Sequence, residues 1–164
     1  MIKNFRGEPV FRAKFIEVIK RDAELVNEIF IRNQGTPPYK SDSTVIDRLL
    51  NPGEKFYIVE NINQVVFGSW ASTYKVKNIK EFRELLAVAT KWKNGNLIIK
   101  EYEVLKQIKV REDGIGAVYD EILKKWLKGG KQQYEILEPV NKEIENGKKM
   151  WQELLKEIDT KPLK

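Results

Sequence analysis

The sequence predicts an α+β fold, a small and mostly antiparallel sheet core with flanking helices. Three observations carry this expectation. Short runs rich in β-branched and aromatic residues recur at positions 55–60, 65–70, 97–104 and 133–137. Longer stretches between and around them place apolar residues at helical spacing. The two kinds of segment do not alternate as a doubly wound parallel sheet requires. With 164 residues the chain suits one domain. It divides into an N-terminal helical segment over 1–43, an α+β core over 44–138 and a C-terminal helix over 139–160.

Taken in order, Pro9 can open a helix, and Phe11, Phe15, Ile19, Ala23, Val26 and Phe30 set an apolar stripe. One helix, or two with a break, is expected over 10–31. Gly35 can cap it and Pro37-Pro38 stop it. Residues 44–50 fit a strand or a helical turn. After the turn Asn51-Pro52-Gly53, segments 55–60 and 65–70 are expected to form a hairpin. Asn78 caps a helix to Thr90, with Phe82, Leu85, Leu86 and Ala89 inward. Residues 97–104 form the longest strand, and 107–110 continue it past a bend. Residues 118–128 read as a helix with Val118, Ile122, Leu123, Trp126 and Leu127 inward. Gly129-Gly130 ends it and opens the strand at 133–137. Pro139 breaks the chain, and 141–158 reads as a last helix that Gly147 weakens.

Hydrophobic residues make up 41% of the chain and charged residues 33%, a globular composition. There is no Cys, hence no disulfide framework and no thiolate metal site. There is also no His, which removes Ser-His-Asp catalysis, histidine zinc sites and His-based nucleases. Any catalysis must run on carboxylates, amides, hydroxyls, Lys, Arg or Tyr. Asp113-Gly114-Ile115-Gly116 lacks the spaced acids of a calcium loop, so no metal is expected. The net charge of +6 suits an anionic ligand such as a dinucleotide or nucleic acid. No apolar run is long enough for a membrane span, and the chain is expected to be soluble.

The chemistry-bearing stretch is Gly129 to Glu135. Along a strand, Gln133 and Glu135 share one face, and Gln132 and Tyr134 the other. An amide and a carboxylate two residues apart behind a glycine loop suit a hydroxylated ligand or a cationic transition state. The same residues also fit a plain αβ turn and a polar edge strand.

Five pieces in order, Asn51-Pro52-Gly53, Gly68-Ser69-Trp70, Phe82-Arg83-Glu84-Leu85-Leu86, Tyr102-Glu103-Val104 and Gly129 to Tyr134, resemble an ADP-ribosyltransferase-like fold. More narrowly, they resemble NAD glycohydrolase toxin domains of the tuberculosis necrotizing toxin kind, C-terminal domains of polymorphic toxins. The resemblance spans roughly Val45 to Leu137. It implies cleavage of NAD, as substrate rather than cofactor, at the nicotinamide–ribose bond, with ADP-ribose passing to water or a protein. It also implies a cognate immunity protein and action in the cytoplasm of a target cell.

Under this resemblance Gln133, with Gln132 next, matches the catalytic glutamine, and Glu135 would hold the ribose hydroxyl. Ser69 or Ser72 would bond the ribose or carboxamide, and Trp70 or Tyr57 would pack the nicotinamide. Gly130 belongs to the glycine loop. The family's arginine in the first core strand has no counterpart in 55–60. Arg48 stands in for it at the diphosphate, with Arg83 as a second candidate. The helix expected over 118–128 lies where many relatives have a short loop. Two other readings stay open. Lys100, Tyr102, Lys106 and Lys109 fit a basic RNase-type toxin, and the glycine pair also fits a non-enzymatic binding or immunity module.

Overall fold

The computed structural model describes residues 19–34, 38–40 and 44–164. In chain order its elements are β1 (Ile19–Asp22), α1 (Ala23–Gln34), β2 (Thr44–Leu50), β3 (Lys55–Asn61), β4 (Trp70–Ser72), α2 (Ile79–Leu86), β5 (Leu97–Val104) and β6 (Ile108–Gly114). There follow β7 (Val118–Asp120), β8 (Lys125–Leu127), β9 (Gln132–Ile136), β10 (Glu143–Glu145), β11 (Lys148–Lys149), α3 (Met150–Leu154) and β12 (Leu155–Leu163). Eight strands make one antiparallel sheet in the order β1-β2-β6-β9-β4-β3-β5-β12. Two hairpins, β7–β8 and β10–β11, stand outside it. The fold is α+β with a mostly antiparallel sheet.

Strand alternation divides the sheet into two faces. Phe56, Ile58, Tyr102, Val104, Ile108, Val110, Tyr134 and Ile136 point to one face and form the main core. Phe67 and the segment bearing Val140, Trp151 and Leu154 close over it. Trp151 stacks on Phe67 with ring centroids 5.3 Å apart. The opposite face is covered in two places. Helix α2 lays Phe82 over Val59, Leu97 and Ile99, and α1 sets Ala23, Val26 and Phe30 against Tyr39, Val45 and Trp70. Between these two covers the sheet is open.

Several sequence expectations give way to tertiary structure. Residues 10–18, Gly35 and Pro37 lie outside the described residues. Within the helix expected over 10–31, Ile19–Asp22 is a strand paired with β2, and the helix starts at Ala23. The Asp22 carboxylate accepts hydrogen bonds from Glu24 N (2.8 Å) and Leu25 N (3.4 Å), which sets that start. Segment 65–69 is not a strand. Only Trp70–Ser72 pairs, meeting β3 at Tyr57 and β9 along its length. Helix α2 ends at Leu86, where Ala87 takes φ 47. Strand β6 does not prolong β5; it pairs with β2 and β9 on the far side of the sheet.

The helix expected over 118–128 is the β7–β8 hairpin. Val118 and Leu127 point inward, but Ile122, Leu123 and Trp126 are exposed. The Asp120 carboxylate accepts from Ile122 N (2.9 Å) and Leu123 N (3.0 Å) and so competes with helical backbone bonding. Of the C-terminal helix expected over 139–160 only the short α3, Met150–Leu154, forms. Asn146 and Gly147, at φ 45 and 77, make the tight turn of β10–β11. Leu155–Leu163 lies along β5 as an edge strand, where Pro162 is tolerated.

The glycine pair has unequal demands. Gly129 has φ 69, and a Cβ there would lie 2.6 Å from Ile115 O and 2.8 Å from Gly116 O. Its N–H donates to Glu84 O at 2.7 Å, so this loop ties α2 to the segment after β6. Gly130 has φ 101 but open space around a Cβ. Gly129→Ala is therefore expected to cost about 3 kcal/mol, combining backbone strain with a clash. Gly130→Ala should cost about 1–2 kcal/mol, from strain alone. Urea denaturation of the two variants checks the difference.

Candidate functional site

The open part of the sheet carries a cavity of about 360 Å³. Its floor is Tyr57, Val59, Trp70, Ser72 and Gln133, all on the face away from the main core. One wall is Phe82 and the loop Leu86-Ala87-Val88, another is Ile115, Gly116 and Val118, and Pro38, Trp92 and Lys93 close the rim. Mostly apolar walls with a few converging polar groups are the usual make-up of a small-molecule site.

Strand register lines up the floor. Gln133 stands opposite Ser72 on β4, and Ser72 opposite Tyr57 on β3. Gln133 is 8% exposed, and its Nε2 donates to Pro38 O at 2.9 Å. Among the described residues no hydrogen bond reaches its Oε1, which is left as an acceptor at the cavity. Ser72 Oγ donates to Tyr74 O at 2.7 Å, so toward a ligand this hydroxyl acts as an acceptor. Trp70 lies against Phe30 and Tyr39, with centroids 5.7 and 6.0 Å away.

Glu135 shares the face of Gln133 but lies one row away and does not line the cavity. It faces Trp70 on one neighbouring strand and Arg111 on the other. Its Oε2 accepts from the Tyr39 hydroxyl at 3.0 Å. Burial pushes the Glu135 carboxyl up, against the Tyr39 hydrogen bond and the Arg111 charge. Burial and the neighbouring Glu135 push the Tyr39 hydroxyl well above its ordinary range, so it remains a donor. Arg111 in turn binds Asp47 through Nε (2.7 Å) and Nη2 (3.1 Å), and Arg21 Nε reaches the same carboxylate at 2.9 Å. Burial alone would raise the Asp47 carboxyl, but the two arginines hold it below its usual value. The row Asp47–Arg111–Glu135–Tyr39 is a charge network under α1, and it seats Tyr39 beside the rim residue Pro38.

Five other expected residues fall outside the cavity. Gln132 points to the opposite face and its Nε2 reaches Glu112 Oε1 at 3.5 Å. Arg48 is on that face too, with Nε 2.6 Å from Glu112 Oε2 and Nη2 3.1 Å from the Tyr134 hydroxyl. Period-two alternation puts Asp47 on the cavity side and so carries Arg48 away from it. Arg83, the second diphosphate candidate, is 8% exposed, and its Nη1 donates to Val88 O (3.0 Å) and Ala89 O (3.3 Å). It thereby shapes the cavity wall from behind, and burial lowers its guanidinium against the attraction of Asp120. Ser69 is exposed, and its carbonyl accepts from Ile136 N at 2.8 Å. Gly130 serves the loop, donating to Ile115 O at 2.9 Å.

Sequence reasoning missed Lys93. Its Nζ donates to Val59 O at 2.6 Å and lines the cavity. Burial lowers its pKa, partly offset by Glu60. No described carboxylate pairs with it, because Lys100 takes Glu60 at 2.8 Å. A lysine beside Asn94-Gly95 reads as a turn, and only the folding of the loop onto β3 turns it inward. Of the four residues that fit an RNase-type toxin, Lys109 is exposed and makes no ion pair among the described residues, and the other three are engaged elsewhere. Lys100 pairs with Glu60 and Glu157, Lys106 with Glu153, and Tyr102 is 1% exposed in the core. Among the described residues no group of three or more acidic side chains could hold a metal ion.

No known sequence family and no curated protein sequence matches the chain. Solved structures do. Tne2, solved in complex with Tni2, superposes with a TM-score of 0.53 at 17% identity, over 73% of this chain and 92% of that one. Tse6, in complex with Tsi6, superposes with a TM-score of 0.50 at 12% identity, over 84% and 94%. This chain shares the fold of Tne2 and Tse6. Rhs1-CT, in complex with its cognate immunity protein RhsI1, is similar at 17% identity and a TM-score of 0.49, over 87% and 95%.

Within this Tne2-like fold one buried carboxylate pins the far wall. Asp120 is 0% exposed and accepts from Thr90 N (2.8 Å) and Thr90 Oγ1 (2.7 Å) as well as from the two amides of its own turn. Burial alone would raise this carboxyl, but the four hydrogen bonds outweigh it and bring it down from 3.8 to about 2. A depressed folded-state pKa contributes stability that is present above the unfolded value and lost as pH falls through the folded one. Thermal stability should therefore drop as pH falls from about 4 to about 2. Asp120→Asn should be less stable at neutral pH and show a shallower acid slope in that window, read by melting at a series of pH values.

Proposed function

We propose that this chain is a bacterial toxin domain that cleaves NAD at the nicotinamide–ribose bond. The observation that carries the reading is the cavity floor, where one strand register sets Gln133, Ser72 and Tyr57 in a row beside Trp70 under apolar walls. The likeness in fold to Tne2 and Tse6, each solved with a second protein bound, supports a toxin with its own immunity partner.

The reaction suits a chain without histidine. Nicotinamide leaves as a neutral base and the ribose passes through an oxocarbenium-like state, so catalysis is positioning and electrostatics. The nicotinamide packs on Trp70 or Tyr57. Gln133 Oε1, oriented by the Nε2 bond to Pro38, accepts from a ribose hydroxyl or the attacking water. Ser72 Oγ accepts from the carboxamide. Lys93, the cation of the cavity without a carboxylate partner, takes the diphosphate in place of Arg48. Glu135 acts through Tyr39 and Pro38 rather than on the ribose.

The test is NAD consumption by purified protein. Gln133→Ala should lower turnover by about 10²-fold. Lys93→Met should raise KM about tenfold with kcat nearly kept, the mark of lost substrate binding. Absence of nicotinamide release from folded wild-type protein would remove the reading, and RNA cleavage would be measured next.

A further inference from the structure

The β7–β8 hairpin presents large apolar side chains that the chain itself does not cover. Ile122 is 58% exposed, Leu123 46%, Trp126 69% and Tyr119 44%. Contiguous exposed apolar groups of this size mark an interaction surface. The tip is preformed: Asp120 bonds the amides of Ile122 and Leu123, while Val118 and Leu127 anchor the stem against Ala87, Ala89 and Ile115. Tyr119 and Trp126 face each other across the hairpin with ring centroids 5.6 Å apart.

We propose that this tip contacts anionic membranes, inserting Ile122 and Leu123 into the bilayer interface. Three features favour a bilayer over a protein groove. The surface is a convex turn, which enters a medium rather than receiving a segment. The side chains follow the layering of a membrane interface, with aliphatic groups at the apex, an aromatic pair behind them and lysines beside both. The charges also fit lipid phosphates. Lys124 and Lys128 make no ion pair, whereas the nearby Glu121 is matched by Lys91 at 3.3 Å. The chain as a whole carries +6. Membrane contact at this tip is separate from the NAD reading and stands or falls without it.

The experiment is sedimentation of the full chain with vesicles of phosphatidylglycerol and phosphatidylethanolamine, beside vesicles of phosphatidylcholine alone. The wild type should partition to the anionic vesicles, with a blue shift of tryptophan emission that Trp126→Phe diminishes. Ile122→Asp/Leu123→Asp should bind at least tenfold more weakly while melting at an unchanged temperature. Lys124→Glu/Lys128→Glu should lose binding to the anionic vesicles to a similar degree. Should the aspartate variant unfold, Ile122→Ser/Leu123→Ser is the replacement, with the same weakening expected. No binding by the wild type would overturn the proposal and leave the tip to a protein groove. Undiminished binding by a folded apolar-tip variant would overturn it as well, reducing any attraction to surface charge.

Discussion

The alternation of β9 governs the rest of the structure. This strand lies inside the sheet, between β6 and β4. Tyr134 and Ile136 are drawn into the main core, so Gln133 and Glu135 must emerge on the other face. Pairing then supplies their neighbours: Ser72 and Trp70 from β4, Asp113 and Arg111 from β6. A shift of one residue would bury the glutamine in the core and turn the tyrosine into the cavity. The hydrophobic demand of one face thus determines the chemistry of the other.

What stands on that floor is held by polar bonds to backbone, most of them far apart in sequence. Asn27 clamps Tyr39 through two bonds, Nδ2 to Tyr39 O at 2.8 Å and Tyr39 N to Oδ1 at 3.1 Å. Pro38 accepts from Gln133 and from Gly116 N. Arg83 gathers the carbonyls of the loop after α2, and Asp120 gathers Thr90 and its own turn. Each is a buried polar group whose desolvation is compensated by the segment it organises. The cavity therefore keeps apolar walls without leaving these groups unsatisfied.

Charge is distributed unevenly between the two faces. Arg48 on β2 and Arg111 on β6 are both matched by carboxylates, Glu112 and Asp47. Lys93 is not, and it sits where an apolar cavity makes an anion most welcome. The β7–β8 hairpin belongs to the same construction, since Val118 lines the cavity while Ile122 and Leu123 project beyond it. Support for the wall and presentation of the tip both depend on Asp120.

By itself the sequence determined the α+β class, strand 97–104, the cap at Asn78 and the shared face of Gln133 and Glu135. These depend on local pattern, where side-chain period and capping chemistry act within a few residues. Tertiary structure decided the rest. Residues 118–128 and 141–158 carry helical spacing, yet Asp120 made a hairpin of the first, the Asn146-Gly147 turn left only Met150–Leu154 helical in the second, and the exposed edge of β5 recruited Leu155–Leu163. The side of the sheet taken by Arg48, the burial of Arg83 and the inward turn of Lys93 were likewise illegible. Each depends on a partner more distant than any local period reaches, and burial is a property of the assembled sheet rather than of the residue.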